Sequence, residues 1–190
     1  LLNIPFILGP VSGGDQIPHQ LRDSLSFSQK IKELLRDASN KLIKYDPIIN
    51  MNFKKSLKIF VNSDATKKIL PKKYYDKTQI LLAIGTDEIK PNENNLVKEN
   101  KKINLCFAGN LNYLKGLDLT IEALNIIKHQ LDFELTIAGE GPIKNKLDKK
   151  ISLYNLNNSI KFLGKIPREN LLKMYTNSDI LLAPFLRDSG

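Results

Sequence analysis

Within residues 106–124, CFAGNLNYLKGLDLTIEAL, an apolar run meets a glycine, passes through polar and turn residues, and reaches a lysine–glycine pair that opens a helical pattern. Lys115 therefore stands where a strand has ended and a helix is about to begin. A glycine after a strand lets backbone approach a ligand, and a helix N-terminus attracts phosphate. Lys115 adds a full positive charge there. The helix dipole disfavours a cation at that end, so the placement suits a lysine that meets an anion, most simply a diphosphate. The competing reading is a solvated lysine in the first turn of a helix. Three other segments follow apolar runs in the same way: GPVSGG at 9–14, GEGP at 139–142 and FLRDSG at 185–190. Ligands of open parallel sheets bind beyond the carboxyl ends of the strands. Glycine spacing alone is a weak sign, since GEGP is also an ordinary turn followed by a proline.

The elements that would position these segments follow from periodicity. Apolar runs at 4–8, 57–62, 79–84, 103–109, 133–139, 160–164 and 179–185 read as strands. Residues 26–45 read as a helix, with Ile31, Leu34, Leu35, Ala38 and Leu42 on one face and Asp46-Pro47 as its end. Ser63 or Asp64 is placed to cap a short helix that stops by Pro71. Leu117, Ile121, Leu124 and Ile127 form a second helix face, and Ile143, Leu147, Ile151 and Tyr154 a third, with Pro142 expected as first residue of that helix. Residues 167–175 read as a short helix. Strand–helix alternation with continuously apolar strands predicts an α/β fold of parallel sheets with helices on both faces. Residues 88–102 are polar, hold Pro91 and four asparagines, and carry no apolar period. They divide the chain into two Rossmann-like halves, expected at 1–92 and 103–190 with a linker at 93–102.

Composition excludes several functions. Hydrophobic residues are 42% of the 190, too many for a disordered chain. Two histidines and one cysteine, Cys106, do not supply a zinc site, and His19 and His129 both suit a surface role. A lone cysteine allows no internal disulfide, which favours a reducing compartment. No apolar stretch approaches the roughly 18 residues of a membrane-spanning helix, and no signal peptide is visible. The net charge is +9, and residues 51–80 hold eight lysines against two aspartates. A solvated lysine-rich surface and a face resting on anionic lipid both fit. Nucleic acid is not expected as a partner, because no recognition motif accompanies the charge. The chain opens and stops in apolar runs and lacks an initiator methionine, which reads as an internal fragment with both halves incomplete.

Four motifs in order, Gly109-Asn110-Leu111…Lys115-Gly116, Gly139-Glu140-Gly141-Pro142, Phe162-Leu163-Gly164 and Ala183-Pro184-Phe185-Leu186-Arg187-Asp188-Ser189-Gly190, resemble the donor domain of the retaining GT-B glycosyltransferases classed as family 4. That domain typically reads G-R-L-x-x-x-K-G, G-[ED]-G-P, F-x-G, then P-S with an E-x7-E motif. GPVSGG and RDSG resemble a subgroup with a GPVGGG-like loop and D-S-G-G in place of the first glutamate. The resemblance implies that 1–92 belongs to the acceptor domain and 103–190 to the nucleotide-sugar donor domain. It implies diphosphate binding at the positions of Asn110 and Lys115; Asn110 stands where the family has arginine, so charge stabilisation rests more on Lys115. It further implies that Asp188 contacts the donor sugar's hydroxyls, and that the backbone of Ser189 and Gly190 faces sugar or phosphate. Gly109 would approach the donor, and Gly164, Lys165 and Ile166 would border the nucleotide base. Gly13 and Gly14 form a candidate phosphate or acceptor loop.

The implied reaction moves a sugar from a nucleotide-diphosphate sugar to the hydroxyl of a saccharide or lipid-linked acceptor, with retention. Lys115 and Asp188 are the implied catalytic pair. No D-x-D occurs, which agrees with a donor site that needs no metal or other cofactor. The expected setting is bacterial surface polysaccharide assembly, in the cytoplasm or peripherally on the inner membrane face. Two rivals stand beside this: a GT-B-type nucleotide-sugar epimerase, which RDSG does not suit, and a nucleotide-sugar binding module without catalysis.

Overall fold

The computed structural model describes residues 4–81 and 102–187. These fall into two compact units, one of residues 4–81 with Arg187 and one of residues 102–186. Both are α/β with wholly parallel sheets.

The first unit carries strands β1 (Ile7–Val11), β2 (Lys58–Val61) and β3 (Thr78–Ile80) in the order β1-β2-β3. Its helices are α1 (His19–Arg22), α2 (Phe27–Leu42), α3 (Pro47–Lys55) and α4 (Asp64–Ile69). Their starts follow capping chemistry. The Ser26 amide donates to Gln29 Oε1 at 2.9 Å ahead of α2. Asp46 accepts from the amides of Ile48 and Ile49 at 2.9 and 3.0 Å, with Pro47 as first helical residue of α3. Ser63, not Asp64, caps α4, accepting from the Thr66 amide at 3.1 Å. Phe53, Ile59, Val61, Leu70 and Tyr74 form the core of this unit.

Some boundaries in this unit differ from the sequence reading. β1 begins later than expected and includes Gly9, Pro10 and Val11, so half of GPVSGG is strand. Gly9 makes this feasible: a Cβ there would strike the Phe60 carbonyl, and only a glycine lets β1 lie so close to β2. The Asp46-Pro47 pair also starts α3 rather than only ending a helix.

The apolar face of α2 is present, but it points outward. Phe27, Ile31, Leu34, Leu35 and Leu42 are all exposed, while Glu33, Asp37 and Asn40 are buried. The polar side is held inward by specific bonds. Asp37 pairs with Arg22 at 2.7 Å. Asn40 and Arg36 both donate to the Gly13 carbonyl, and Arg36 also to that of Asp15.

The second unit carries β4 (Ile103–Ala108), β5 (Phe133–Ala138), β6 (Ile160–Gly164) and β7 (Ile180–Leu181), ordered β6-β5-β4-β7. The helices α5 (Leu117–Ile127), α6 (Lys144–Leu153) and α7 (Arg168–Thr176) connect them. β4 has a neighbour on each side, so its run of Leu105, Cys106 and Phe107 is buried throughout. Phe107, Leu117, Ile121, Leu135, Ile137 and Leu147 are fully covered and anchor the core. Each such side chain is worth roughly 1.5–3 kcal/mol of burial. The stripes expected for α5 and α6 point into this core. β7 is shorter than the apolar run at 179–185, and α6 starts at Lys144, two residues beyond Pro142. Residues 82–101, which hold the expected linker, lie outside the described residues.

Candidate functional site

Three glycines end three neighbouring strands. Gly109 follows β4, Gly139 follows β5, and Gly164 closes β6. The loops are joined backbone to backbone. The Gly109 amide donates to the Ala138 carbonyl at 3.0 Å, Gly139 to Gly164 at 2.7 Å, and Leu111 to Glu140 at 2.8 Å. Gly139 has φ of 138°, and a Cβ there would run into the Gly109 carbonyl. No other residue fits that junction without moving one of the loops.

Beyond these strand ends lies a cavity of about 350 Å³ lined by Ala108, Gly109, Asn110, Ala138, Gly139, Glu140, Lys165, Ile166 and Leu171. Small residues and glycine backbone form its floor, Ile166 and Leu171 give it apolar surface, and Asn110, Glu140 and Lys165 supply polar groups. This combination suits a ligand with a flat, partly apolar end and polar substituents.

Four of the residues singled out from sequence, Gly109, Asn110, Lys165 and Ile166, meet in this lining. Gly164 adjoins it through the carbonyl that accepts from Gly139. Lys115 ends a single 3₁₀ turn, Tyr113–Lys115, which Asn112 caps by accepting from the Leu114 amide at 2.9 Å. α5 then begins after Gly116, which has φ of 69°. Lys115 thus precedes the helix instead of lying in its first turn. Its ammonium sits over the ring of Phe185, 4.1 Å from the centroid.

Asp188, Ser189 and Gly190 lie outside the described residues. Gly13 and Gly14 belong to the first unit, where the Gly14 amide donates to Thr66 Oγ1 at 3.3 Å and the Gly13 carbonyl is taken by Arg36 and Asn40. His19 and His129 are both exposed, as expected for surface residues. Cys106 is buried in β4; burial pushes its thiol above the usual range, against a smaller opposing effect of the hydrogen bond with Ser178. It is not poised as a nucleophile.

Leu171, Ala108 and Ala138 were not picked out by sequence. The alanines follow from strand positions next to the glycines, and the α7 apolar spacing marks Leu171. Phe185 had no signal beyond its place after Pro184, because nothing in spacing says that a ring will meet a lysine 70 positions earlier.

The sequence profile described as glycosyl transferases group 1 matches residues 88–189, more than half of the chain. The amylovoran biosynthesis glycosyltransferase AmsK of Erwinia amylovora is 31% identical over 119 residues, covering 56% of this chain and 29% of its own. The uncharacterized glycosyltransferase MJ1607 of Methanocaldococcus jannaschii is 30% identical over 88 residues, covering 46% of this chain and 22% of its own. The chain therefore spans less than a third of the length of either relative. Among solved structures, Anabaena HepE in complex with UDP and glucose aligns over 93% of this chain and 45% of its own, with TM-score 0.56 at 14% identity. That likeness shows the fold. The profile match, the two relatives and the parallel α/β architecture converge: the chain belongs to the group 1 glycosyltransferases.

Proposed function

We propose that the second unit binds a nucleotide-diphosphate sugar and that the protein transfers its glycosyl group, with retention, to an acceptor hydroxyl. The observation that carries this reading is the cavity at the ends of β4, β5 and β6, with Lys115 on the turn that follows Asn110. The nucleotide end occupies the cavity, its base against Lys165 and Ile166. The diphosphate lies toward Asn110 and Lys115. HepE, which shares the fold, is recorded in complex with UDP and glucose, and this is in keeping with the assignment.

In the reaction the bond between the anomeric carbon and the diphosphate oxygen breaks, and its electron pair leaves on the diphosphate. The acceptor oxygen bonds to the anomeric carbon, and its proton passes to the departing diphosphate, which has taken the electron pair of the broken bond. Charge grows on the leaving group, so a fixed ammonium close to it lowers the barrier more than it stabilises the bound donor. Asn110 donates a hydrogen bond without charge, which leaves Lys115 the larger share. The role that the family resemblance implies for Asp188, contact with the donor sugar's hydroxyls, completes the scheme. No metal is required in this scheme.

The acceptor is a saccharide or a lipid-linked saccharide, and the setting is surface polysaccharide assembly, in keeping with the role in the name of AmsK. The lysines at 54, 55, 58, 67, 68, 72 and 73 would hold the first unit near an anionic membrane face. Each contributes roughly 1 kcal/mol there, screened by salt. No helix among the described residues is long and apolar enough to cross a membrane.

The test is a donor screen on the full-length protein that reads nucleoside diphosphate release with and without saccharide acceptors. Acceptor-dependent release supports the transferase. Tight donor binding with no release for any acceptor supports a binding module instead.

A further inference from the structure

Among the described residues, Lys115 is held by an aromatic ring and not by an acid. Its ammonium lies 4.1 Å from the centre of the Phe185 ring, and among the described residues no carboxylate pairs with it. Phe185 is itself fixed. Partly exposed, its ring packs T-shaped against the fully buried Phe107 ring at a centroid distance of 6.4 Å and an interplanar angle of 89°. Both of its neighbours are fastened to the lysine's own turn. The Leu186 amide donates to the Leu114 carbonyl at 2.8 Å. The Pro184 carbonyl lies so close over Gly116 that a Cβ at that position would strike it. The segment after β7 and the turn before α5 are therefore one assembly, and its product is a lysine laid on a ring.

The chemistry of that choice matters for an anion site. A carboxylate beside Lys115 would cancel its charge and compete with an arriving diphosphate. A ring attracts the cation through its quadrupole and leaves the net charge intact. We propose that Phe185 is a positioning residue, holding the Lys115 ammonium ready for the donor diphosphate without neutralising it. This rests on the assignment of Lys115 to the diphosphate.

Calorimetry on the full-length protein, with inorganic pyrophosphate and with UDP as probes, tests it. An exposed cation–π contact corresponds to about 2- to 5-fold in affinity. Phe185→Leu keeps the apolar bulk and loses the ring, and should weaken both probes by that factor. Phe185→Tyr keeps the ring and should bind as the parent does. In a Lys115→Ala background, Phe185→Leu should have no further effect, because the ring acts only through the lysine. A second measurement reads the ring directly: in protein labelled at the lysine ε-carbon, the ε-methylene proton signal that disappears in Lys115→Ala should move downfield in Phe185→Leu, since the ring that shields it is gone.

The proposal fails if Lys115→Ala weakens both probes while Phe185→Leu does not. It fails equally if Phe185→Leu acts as strongly without Lys115, or if the Lys115 ε-methylene signal is the same in Phe185→Leu as in the parent. If Lys115→Ala itself binds pyrophosphate unchanged, the diphosphate assignment falls first and takes the ring's role with it.

Discussion

A carbonyl oxygen of Gly109 fills the space where a side chain at position 139 would begin. Gly139 also has φ of 138°, a conformation side chains resist. Gly139→Ala should therefore cost more than an ordinary surface change, about 1–3 kcal/mol of stability, and should part the loops that floor the cavity. Thermal unfolding and nucleoside diphosphate affinity should fall together; a variant with parental stability and affinity would mean the junction is tolerant. Lys115 works by charge, not by shape. Removing it in Lys115→Ala should leave the melting temperature nearly unchanged and weaken nucleoside diphosphate binding by roughly 1.5–3 kcal/mol, the range for a charge-assisted contact. Calorimetry distinguishes these two kinds of loss, since the glycine acts through the fold and the lysine through the ligand.

At the scale of elements, α5 and α6 are tied by charge as well as by apolar packing. Asp118 accepts from Lys146 at 2.6 Å and from Lys150 at 2.5 Å, and Lys150 also reaches Glu122. Burial alone would raise the Asp118 carboxyl, but the two lysines outweigh it and hold it below its ordinary 3.8. Burial would likewise lower Lys150, but Asp118 and Glu122 raise it above 10.5. The contribution of Asp118 is then present above pH 3.8 and lost as pH falls through its lowered value. That of Lys150 is complete below pH 10.5 and lost as pH climbs through its raised one. Asp118→Asn should cost about 1 kcal/mol at neutral pH, the modest figure expected for partly solvated pairs, and should flatten the acid side of the profile. Urea unfolding at pH 3, 7 and 11 checks both limbs. An Asp118→Asn variant whose stability tracks the parent at all three values would remove the tie from the account.

Much of this element layer was legible from residue order. The apolar runs of β2, β4, β5 and β6 were found because parallel strands covered by helices carry apolar residues with few interruptions. The stripes of α5 and α6 also point where their period says. The α2 period was equally clear, yet its apolar face turns outward. The reason lies in partners distant in sequence: Arg22 for Asp37, and the Gly13 carbonyl for Arg36 and Asn40. β1 was misplaced because Gly9 and Pro10 look like loop residues, and only the approach of β2 makes them strand. In the site, the glycine and lysine positions could be read, because backbone access and charge have residue signatures. The ring beneath Lys115 could not, since it depends on how the segment after β7 folds back.

At the scale of the whole molecule, the exposed apolar residues of α2 bear on association. Phe27, Leu34, Leu35 and Leu42 are each more than 60% exposed. A patch of that kind associates unless something covers it. The 190 residues expressed alone should aggregate or form a loose dimer, and replacing Leu34 and Leu35 by glutamate should restore a monomer in sedimentation. A sharply melting monomer without those changes would contradict this. The account's central claim concerns the second unit, and hydrogen exchange on the full-length protein tests it most directly. Added UDP, or the nucleoside diphosphate that the donor screen selects, should slow exchange in the amides of residues 108–111, 138–141 and 164–166. The same protection should shrink at matched concentration in Lys115→Ala. Protection confined to other segments, or protection of these three loops that is indifferent to Lys115, would show that the cavity at the ends of β4, β5 and β6 is not the donor site described above.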